Sequence, residues 1–405
     1  MSTIPSLALL PSGYKASKVY SVLPTNGDGD FTFSRTGNAT RVNKDGLIET
    51  VGSNVPRLDY SDSNCPSLLL EPQRTNFNTN SENFNSYNIL GGTINSNDII
   101  APDGSVNADT FVEDTSNSQH RIRKDISVSA GIYTMSVFVK GTGRYISLFP
   151  QGTSLAYAVF DIANENISII GGSDYVDSKI ENYGNGWYKC ILIYNNTAGT
   201  NFLHIYLSNA SYLASPTYTG NNSEISFFGL QLEEGSYPTS YIPTEGSTVT
   251  RNKDVCIDAG NTDLFNDNEG VVFLDVKITE NSSEVKQTSL NNGTVNEAVK
   301  ILQLNATTFR FEVTMSSGTN FSKDIIINPY QRNKLALQYK ANDYKVFVNG
   351  IKQSVTQRST LPLGLDRFNF NRAYSTSDDF TGKVNQLRIY NQALTDTELQ
   401  QLTTL

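Results

Sequence analysis

The stretch GIYTMSVFVKG, Gly131 to Gly141, decides the fold class. In an extended chain Tyr133, Met135, Val137 and Val139 fall on one side, and Thr134, Ser136, Phe138 and Lys140 on the other. An apolar period of two predicts a half-buried strand. The same alternation recurs further along the chain. Leu203, Ile205 and Leu207 alternate with Phe202, His204 and Tyr206, and Ile146 and Leu148 with Tyr145 and Phe149. Trp187, in GNGWYK, follows a turn and opens another strand. There Tyr188, Cys190, Leu192 and Tyr194 take one face and Ile191 and Ile193 the other, so Trp187 reads as core packing rather than as a platform for a ligand.

Toward the C-terminus Val272, Leu274 and Val276 alternate with Phe273 and Asp275. Leu335, Leu337 and Tyr339 run into Asn342-Asp343, and Tyr344, Val346 and Val348 return to Asn349-Gly350. That predicts a hairpin followed by a second tight turn. Thr395 and Glu398 form the T-x-x-E pattern of a capping box, which predicts one short helix after the last strand. The N-terminal segment up to Thr75 is rich in Pro, Gly and Asn, with turn signals at Asn26-Gly27, Asp28-Gly29 and Asp45-Gly46, and reads as a small β region that either packs on the next domain or docks on a neighbouring subunit. The expectation is therefore an all-β chain in three parts. The parts are residues 1–75, 76–252 and 253–405, and the last two carry the alternation of half-buried strands.

Composition agrees. The 405 residues include 21 Tyr and 20 Phe but only 3 Met and one Trp, a balance that suits strands and turns. The formal charge is -9 and no dense Lys/Arg stripe is present, which disfavours nucleic acid as a partner. No run approaches the roughly 20 apolar residues of a membrane helix, and the N-terminus lacks the pattern of a cleaved signal. Three widely spaced cysteines, Cys65, Cys190 and Cys256, fit reduced thiols better than a disulfide framework.

Three groups of sequence words carry resemblances. LLPSGYKASKVYSVLP (Leu9 to Pro24), DFTFSRTGNATRVNKDGLIETVGSNVPRLDY (Asp30 to Tyr60) and CPSLLLEPQRTN (Cys65 to Asn76) resemble the N-terminal segment of bacteriophage tail and fibre proteins. SENF (Ser81 to Phe84), NGWYKC (Asn185 to Cys190) and GLQLEEGSYPTSYIPTEGSTVTR (Gly229 to Arg251), together with Gly131 to Gly141, resemble the carbohydrate-binding-module-like jelly roll of phage tail proteins. RNKLALQYKANDYKVFVNG (Arg332 to Gly350) and FTGKVNQLRIYNQALTDTELQQL (Phe380 to Leu402) are similar to the concanavalin A-like, laminin-G-like lectin fold. The resemblances imply that residues 76–252 and 253–405 are two antiparallel jelly-roll β-sandwiches and that residues 1–75 are a virion-docking or oligomerisation segment, in a virion protein assembled in the host cytoplasm. It would be joined to other virion proteins through its N-terminal segment, display sandwiches toward bacterial surface polysaccharide, and form a homo-oligomer, commonly a trimer.

Chemistry is sparse. Catalysis through a Ser/His/Asp or Cys/His group needs histidine, and only His120 and His204 are available, with no G-x-S-x-G elbow. His120 lies in the polar run SNSQHRIRK and reads as loop or strand edge. The lectin-like fold also carries glucanases with an E-x-D-x-x-E strand. That motif is missing here, and its nearest substitutes, Asp275 and Glu312, are single acids, so no enzyme is expected. Sugar binding needs only aromatic faces with polar neighbours. Phe138, Tyr145, Phe149, Phe202, His204 and Tyr206 are the candidates, provided their strands share a sheet. Such a face serves either as a groove for glycan or as a surface covered by another domain or subunit. Jelly-roll modules often hold a structural calcium between their first and last strands. Glu82 and Glu233 occupy about those places, and a pair of solvated acids is the preferred reading. No other cofactor is expected. Asn266-Asp267-Asn268 and Asp378-Asp379 read as turns. Arg35, Arg41, Arg57 and Arg74 either pair with carboxylates or fix backbone carbonyls at a docking surface, or stay solvated.

Overall fold

The computed structural model describes residues 3–152, 154–212, 214–279, 285–372 and 379–405, so of the Asp378-Asp379 pair only Asp379 falls within it. The all-β expectation holds: strands follow one another throughout, and one α-helix, Asp396–Thr403, comes after the last of them. The backbone contacts divide the chain into two compact units, each assembled from separated stretches.

The middle unit comprises Ala39–Thr50 and Arg74–Arg251. It contains two six-stranded antiparallel sheets. The first runs Gly92–Ile100, Val106–Glu113, Glu224–Glu234, Gly131–Lys140, Trp187–Asn196, Tyr175–Asn182. The second runs Asn88–Leu90, His120–Val128, Gly199–Ser208, Tyr145–Gly152, Tyr157–Asp161, Asn166–Gly171. Tyr133, Met135, Val137 and Val139 from the first sheet and Ile146, Leu148, Leu203, Ile205 and Leu207 from the second share one buried cluster, as their alternation predicts.

The other side of Gly131–Lys140 departs from expectation, because it too is buried. Phe138, Trp187, Phe228 and Tyr241 form a second cluster there, joined by Ile48. Ile48 belongs to the hairpin that turns at Asp45-Gly46, where Gly46 has φ 78°. Thr40 on the same hairpin donates its hydroxyl to the Tyr241 carbonyl at 2.5 Å, and the Ile48 amide donates to the Pro102 carbonyl at 3.0 Å. Trp187 is packed as expected, with its indole N–H bonded to the Ile100 carbonyl at 3.1 Å.

The terminal unit gathers the residues up to Asn38, Val51–Gln73 and Asn252–Leu405. This corrects the expectation of a separate N-terminal part ending at Thr75. Most of that segment is built into the same fold as Asn252–Leu405, and Ala39–Thr50 belongs to the middle unit. The physical reason lies in the edge of one strand. Gly382–Tyr390 pairs on one side with Glu269–Ile278 and on the other with two N-terminal strands, Leu7–Leu9 (Leu9 opposite Leu387) and Ser67–Leu70 (Leu70 opposite Gly382). Without them a central hydrogen-bonding edge would lie open. Leu7, Leu9, Leu68, Leu70, Phe31 and Phe33 enter the same core as Val272, Leu274 and Val276.

The predicted turns and helix appear in this unit. Asn333–Lys340 pairs with Lys345–Val348, and Asn349 and Gly350, with φ of 50° and 81°, make the two-residue turn into Ile351–Gln353. Thr395 caps the helix: its hydroxyl accepts from the Glu398 amide at 3.2 Å, and the Glu398 carboxylate accepts from the Thr395 amide at 2.9 Å.

Two of the four N-terminal arginines are buried. Arg35 donates to Asp254 at 2.9 Å, and Arg57 donates to Glu71 at 2.5 Å and to Asp254. Burial works against the Arg57 charge, but the two carboxylates more than offset it and raise the guanidinium pKa. The solvated reading of Arg35 and Arg57 therefore fails. Arg41 pairs with Glu49 at 2.9 Å, and Arg74 lies over the Tyr237 ring at 5.1 Å.

Removing one member of a buried ion cluster strands its partners, at a cost of about 3–5 kcal/mol. Arg57→Ala should lower the unfolding midpoint of the terminal unit while leaving that of the middle unit unchanged. Scanning calorimetry reads both units, and the fluorescence of the single Trp187 reads the middle unit alone. A second expectation concerns the hairpin. The fragment 39–251 should unfold cooperatively at a higher denaturant midpoint than 74–251, because the shorter one uncovers Phe138 and Tyr241. Equal midpoints would show that the hairpin contributes nothing.

Candidate functional site

The outer face of the second sheet of the middle unit collects five of the six predicted aromatic residues. Alternation sends Leu203, Ile205 and Leu207 inward and leaves Phe202, His204 and Tyr206 outward. Register then sets their neighbours. His204 lies between Arg123 and Phe149, Tyr206 between Arg121 and Ser147, and Phe202 between Asp125 and Gln151. His204 and Tyr206 stack at 4.9 Å between centroids with 17° between planes. Phe149 lies 6.4 Å from His204, 6.0 Å from Tyr206 and 5.6 Å from Tyr157. The Arg123 guanidinium sits 4.7 Å over the Phe202 ring and pairs with Asp125 at 2.8 Å.

The face has a packed centre and a more open rim. His204, Tyr206 and Phe149 are 4%, 3% and 8% exposed, whereas Tyr145, Tyr157 and Phe202 are half-buried. Two polar atoms on this face, His204 Nδ1 and Ser147 Oγ, are buried without a hydrogen-bond partner. Burial, then the charges of Arg121 and Arg123, push the His204 pKa down to about 4, so its imidazole is neutral near pH 7.

Phe138 does not belong to this face. Its strand lies in the first sheet, and its ring is 1% exposed beside Tyr183, Phe228 and Tyr241. The condition that the candidate strands share a sheet fails for this residue alone. Sequence reasoning also passes over Arg121, Arg123 and Tyr157. The alternation of HRIRKD, which puts Arg121, Arg123 and Asp125 on one side, is the available signal. What it lacks is the register that sets them beside His204 and Tyr206.

Glu82 and Glu233 have separate protein partners. Glu82 accepts from the Tyr241 hydroxyl at 2.8 Å and the Asn107 amide at 3.1 Å, and burial raises its pKa. Glu233 is not a solvated acid. It is fully buried and accepts from Gln231 at 2.7 Å, the Thr239 amide at 2.9 Å and the Thr239 hydroxyl at 2.6 Å, which ties the segment after the closing strand onto the sheet. Among the described residues no three His, Cys, Asp or Glu side chains gather as a metal-ligand group. His120 is not in a loop. It opens a strand, is fully buried, and lies 4.5 Å from the Tyr218 ring.

In the terminal unit Asp275 is buried and held by Arg332 at 2.6 Å, and Glu312 lies 3.2 Å from Lys300. A shallow cleft of about 310 Å³ is lined by Asp258, Gly260, Asn261, Thr262, Asp366 and Arg367, and Arg367 pairs with Asp366 at 2.8 Å.

Residues 257–400 match the family model described as the concanavalin A-like lectin/glucanases superfamily. No curated protein matches the chain. Among solved structures it is similar to the CBM40 of Ruminococcus gnavus IT-sialidase bound to α2,3-sialyllactose. The identity is 18% over 36% of this chain and 93% of that one, with a TM-score of 0.31. It is also similar to a Trypanosoma rangeli sialidase in complex with sialic acid, at 10% identity over 78% of this chain and 61% of that one, TM-score 0.28. Domains LG4-5 of the mouse laminin α1 chain match at 10% identity over 68% and 86%, TM-score 0.25. At these values the structures assign no function to this chain.

The His204 environment has a consequence for pH. An unfolded imidazole protonates near 6.5 and the folded one near 4, so the unfolded state binds more protons between those values. The stability this site contributes is complete above about pH 6.5 and falls as the pH drops toward 4. His204→Phe should flatten that part of the profile. The comparison of urea midpoints for the two proteins from pH 7 to 4 tests it, and parallel curves would refute it.

Proposed function

We propose that this chain is a non-catalytic bacteriophage virion protein, a tail- or head-fibre or tail-tip component assembled in the host cytoplasm, that holds host surface polysaccharide. The observation that carries the binding role is the outer face of the second sheet. There Tyr145, Tyr157 and Phe202 present partly exposed rings, and the Arg123 guanidinium lies over Phe202 with Arg121 along the same edge. Rings of this kind take the apolar side of a pyranose, and the polar groups take its hydroxyls.

The virion role is supported by the N-terminal words, which resemble phage tail and fibre proteins. With most of that segment folded into the terminal unit, attachment to other virion proteins and assembly of a homo-oligomer, with a trimer favoured, would use the surface of a folded unit rather than a loose tail. A non-catalytic role is supported by the ion pairs that occupy Asp275 and Glu312 and by the missing E-x-D-x-x-E strand.

One observation favours a second reading, a structural or decoration module. The centre of the face, His204 and Tyr206, is already covered within the chain. Binding to host cells and to isolated surface polysaccharide separates the two. Saturable binding that weakens about tenfold in the double variant Tyr145→Ala, Phe202→Ala, with the fold retained, supports the adhesin. Absence of binding to a confirmed host leaves the structural module. Shortened glycan chains after incubation would overturn the non-catalytic reading.

A further inference from the structure

The cations of the aromatic face gather along one edge, and this bears on what kind of sugar it takes. Arg121 and Arg123 alternate on His120–Val128 and both rise onto the outer face, in register with Tyr206 and His204. Arg123 is neutralised by Asp125. Arg121 bonds only a neutral group, Asn88 Oδ1 at 3.0 Å, and among the described residues no carboxylate lies within ion-pairing distance of it. Every other strand of the sheet contributes little to offset this. Asn88–Leu90, Asn166–Gly171, Tyr145–Gly152 and Gly199–Ser208 bring no acid, and Asp161 stands on Tyr157–Asp161, three strands away from His120–Val128. A chain of formal charge -9 thus leaves Arg121, at the edge of this aromatic face, without a carboxylate in ion-pairing range among the described residues.

We infer that the sugar held on this face is acidic, its carboxylate received by Arg121 and its ring by the neighbouring aromatic side chains, an inference that rests on the glycan-binding reading above. A guanidinium offers a planar fork of donors that matches a carboxylate with two parallel bonds. Strands in a sheet are about 4.8 Å apart, so the partly exposed Arg121 and the strand that carries the partly exposed Tyr145, two strands away, leave room for one pyranose with its carboxylate. Tyr206 stands between them in the same register row. Ser147 Oγ and His204 Nδ1 lie buried beneath that row, without a hydrogen-bond partner among the described residues. The positive field is also felt by His204, whose protonation both arginines oppose.

The test uses the full chain and a panel of acidic bacterial polysaccharides, each alongside the same polymer with its carboxylates chemically reduced to alcohols. The acidic form should bind at least tenfold tighter, and Arg121→Gln should bring the two forms within about twofold. Asn88→Asp is the second variant, because it places a carboxylate beside Arg121 without removing the cation, and it should also erase most of the preference. Bound acid should raise the His204 pKa from about 4 in an imidazole NMR titration, which locates the anion on this face. Equal binding of acidic and reduced forms by the unmodified chain would overturn the acidic-sugar inference while leaving the glycan-binding reading intact. Failure to bind any member of the panel would remove both.

Discussion

The terminal unit depends on one buried ion cluster, in which Asp254 receives both Arg35 and Arg57 and Glu71 receives Arg57 a second time. These four residues come from three separated stretches of the chain. Each charge is costly to bury alone, and the cluster is tolerable only when all three stretches have arrived. The same stretches supply the strands that complete the edge of Gly382–Tyr390 and the side chains that fill its core. Electrostatic satisfaction and edge pairing therefore demand the same topology.

Local pattern is legible in the sequence wherever one residue determines its own neighbours. The alternation in Gly131 to Gly141, the Asn349-Gly350 turn and the Thr395–Glu398 capping box all depend on contacts within a short span of chain, and each appears in the structure. The two-sheet architecture of the middle unit, which the jelly-roll resemblance implies, agrees with the same periodicity. What cannot be read is partnership at long range. Nothing in the words LALL, at Leu7, or SLLL, at Ser67, states that they pair with the last strand of the chain, so the segment up to Thr75 reads as a separate part. Arg35 and Arg57 read as surface residues because their carboxylate partner, Asp254, lies 219 and 197 positions downstream. Phe138 is misplaced for a related reason, since periodicity gives a side of a strand but not the sheet to which the strand belongs.

The aromatic face shows how the two kinds of information combine. Period two places Phe202, His204 and Tyr206 together, and register, which the sequence does not state, adds Arg121, Arg123 and Ser147. The resulting surface differs from a plain hydrophobic patch in being dense with rings, short of hydrogen-bond partners and positively biased. An antiparallel sheet tolerates such a face because its stability comes from the opposite side, where the inward leucines and isoleucines pack.

The pairing of Leu7–Leu9 with Gly382–Tyr390 also sets an order of events during synthesis. At about 5–20 residues per second, roughly 20–75 s separate the emergence of one strand from that of its partner. The middle unit has all its strands well before then and can close first, while the leucines of the N-terminal strand wait unpaired. A ribosome that stops short of Gly382–Tyr390 therefore releases a product with one finished sandwich and one that cannot form, so that folding of the terminal unit reports that synthesis has passed that strand.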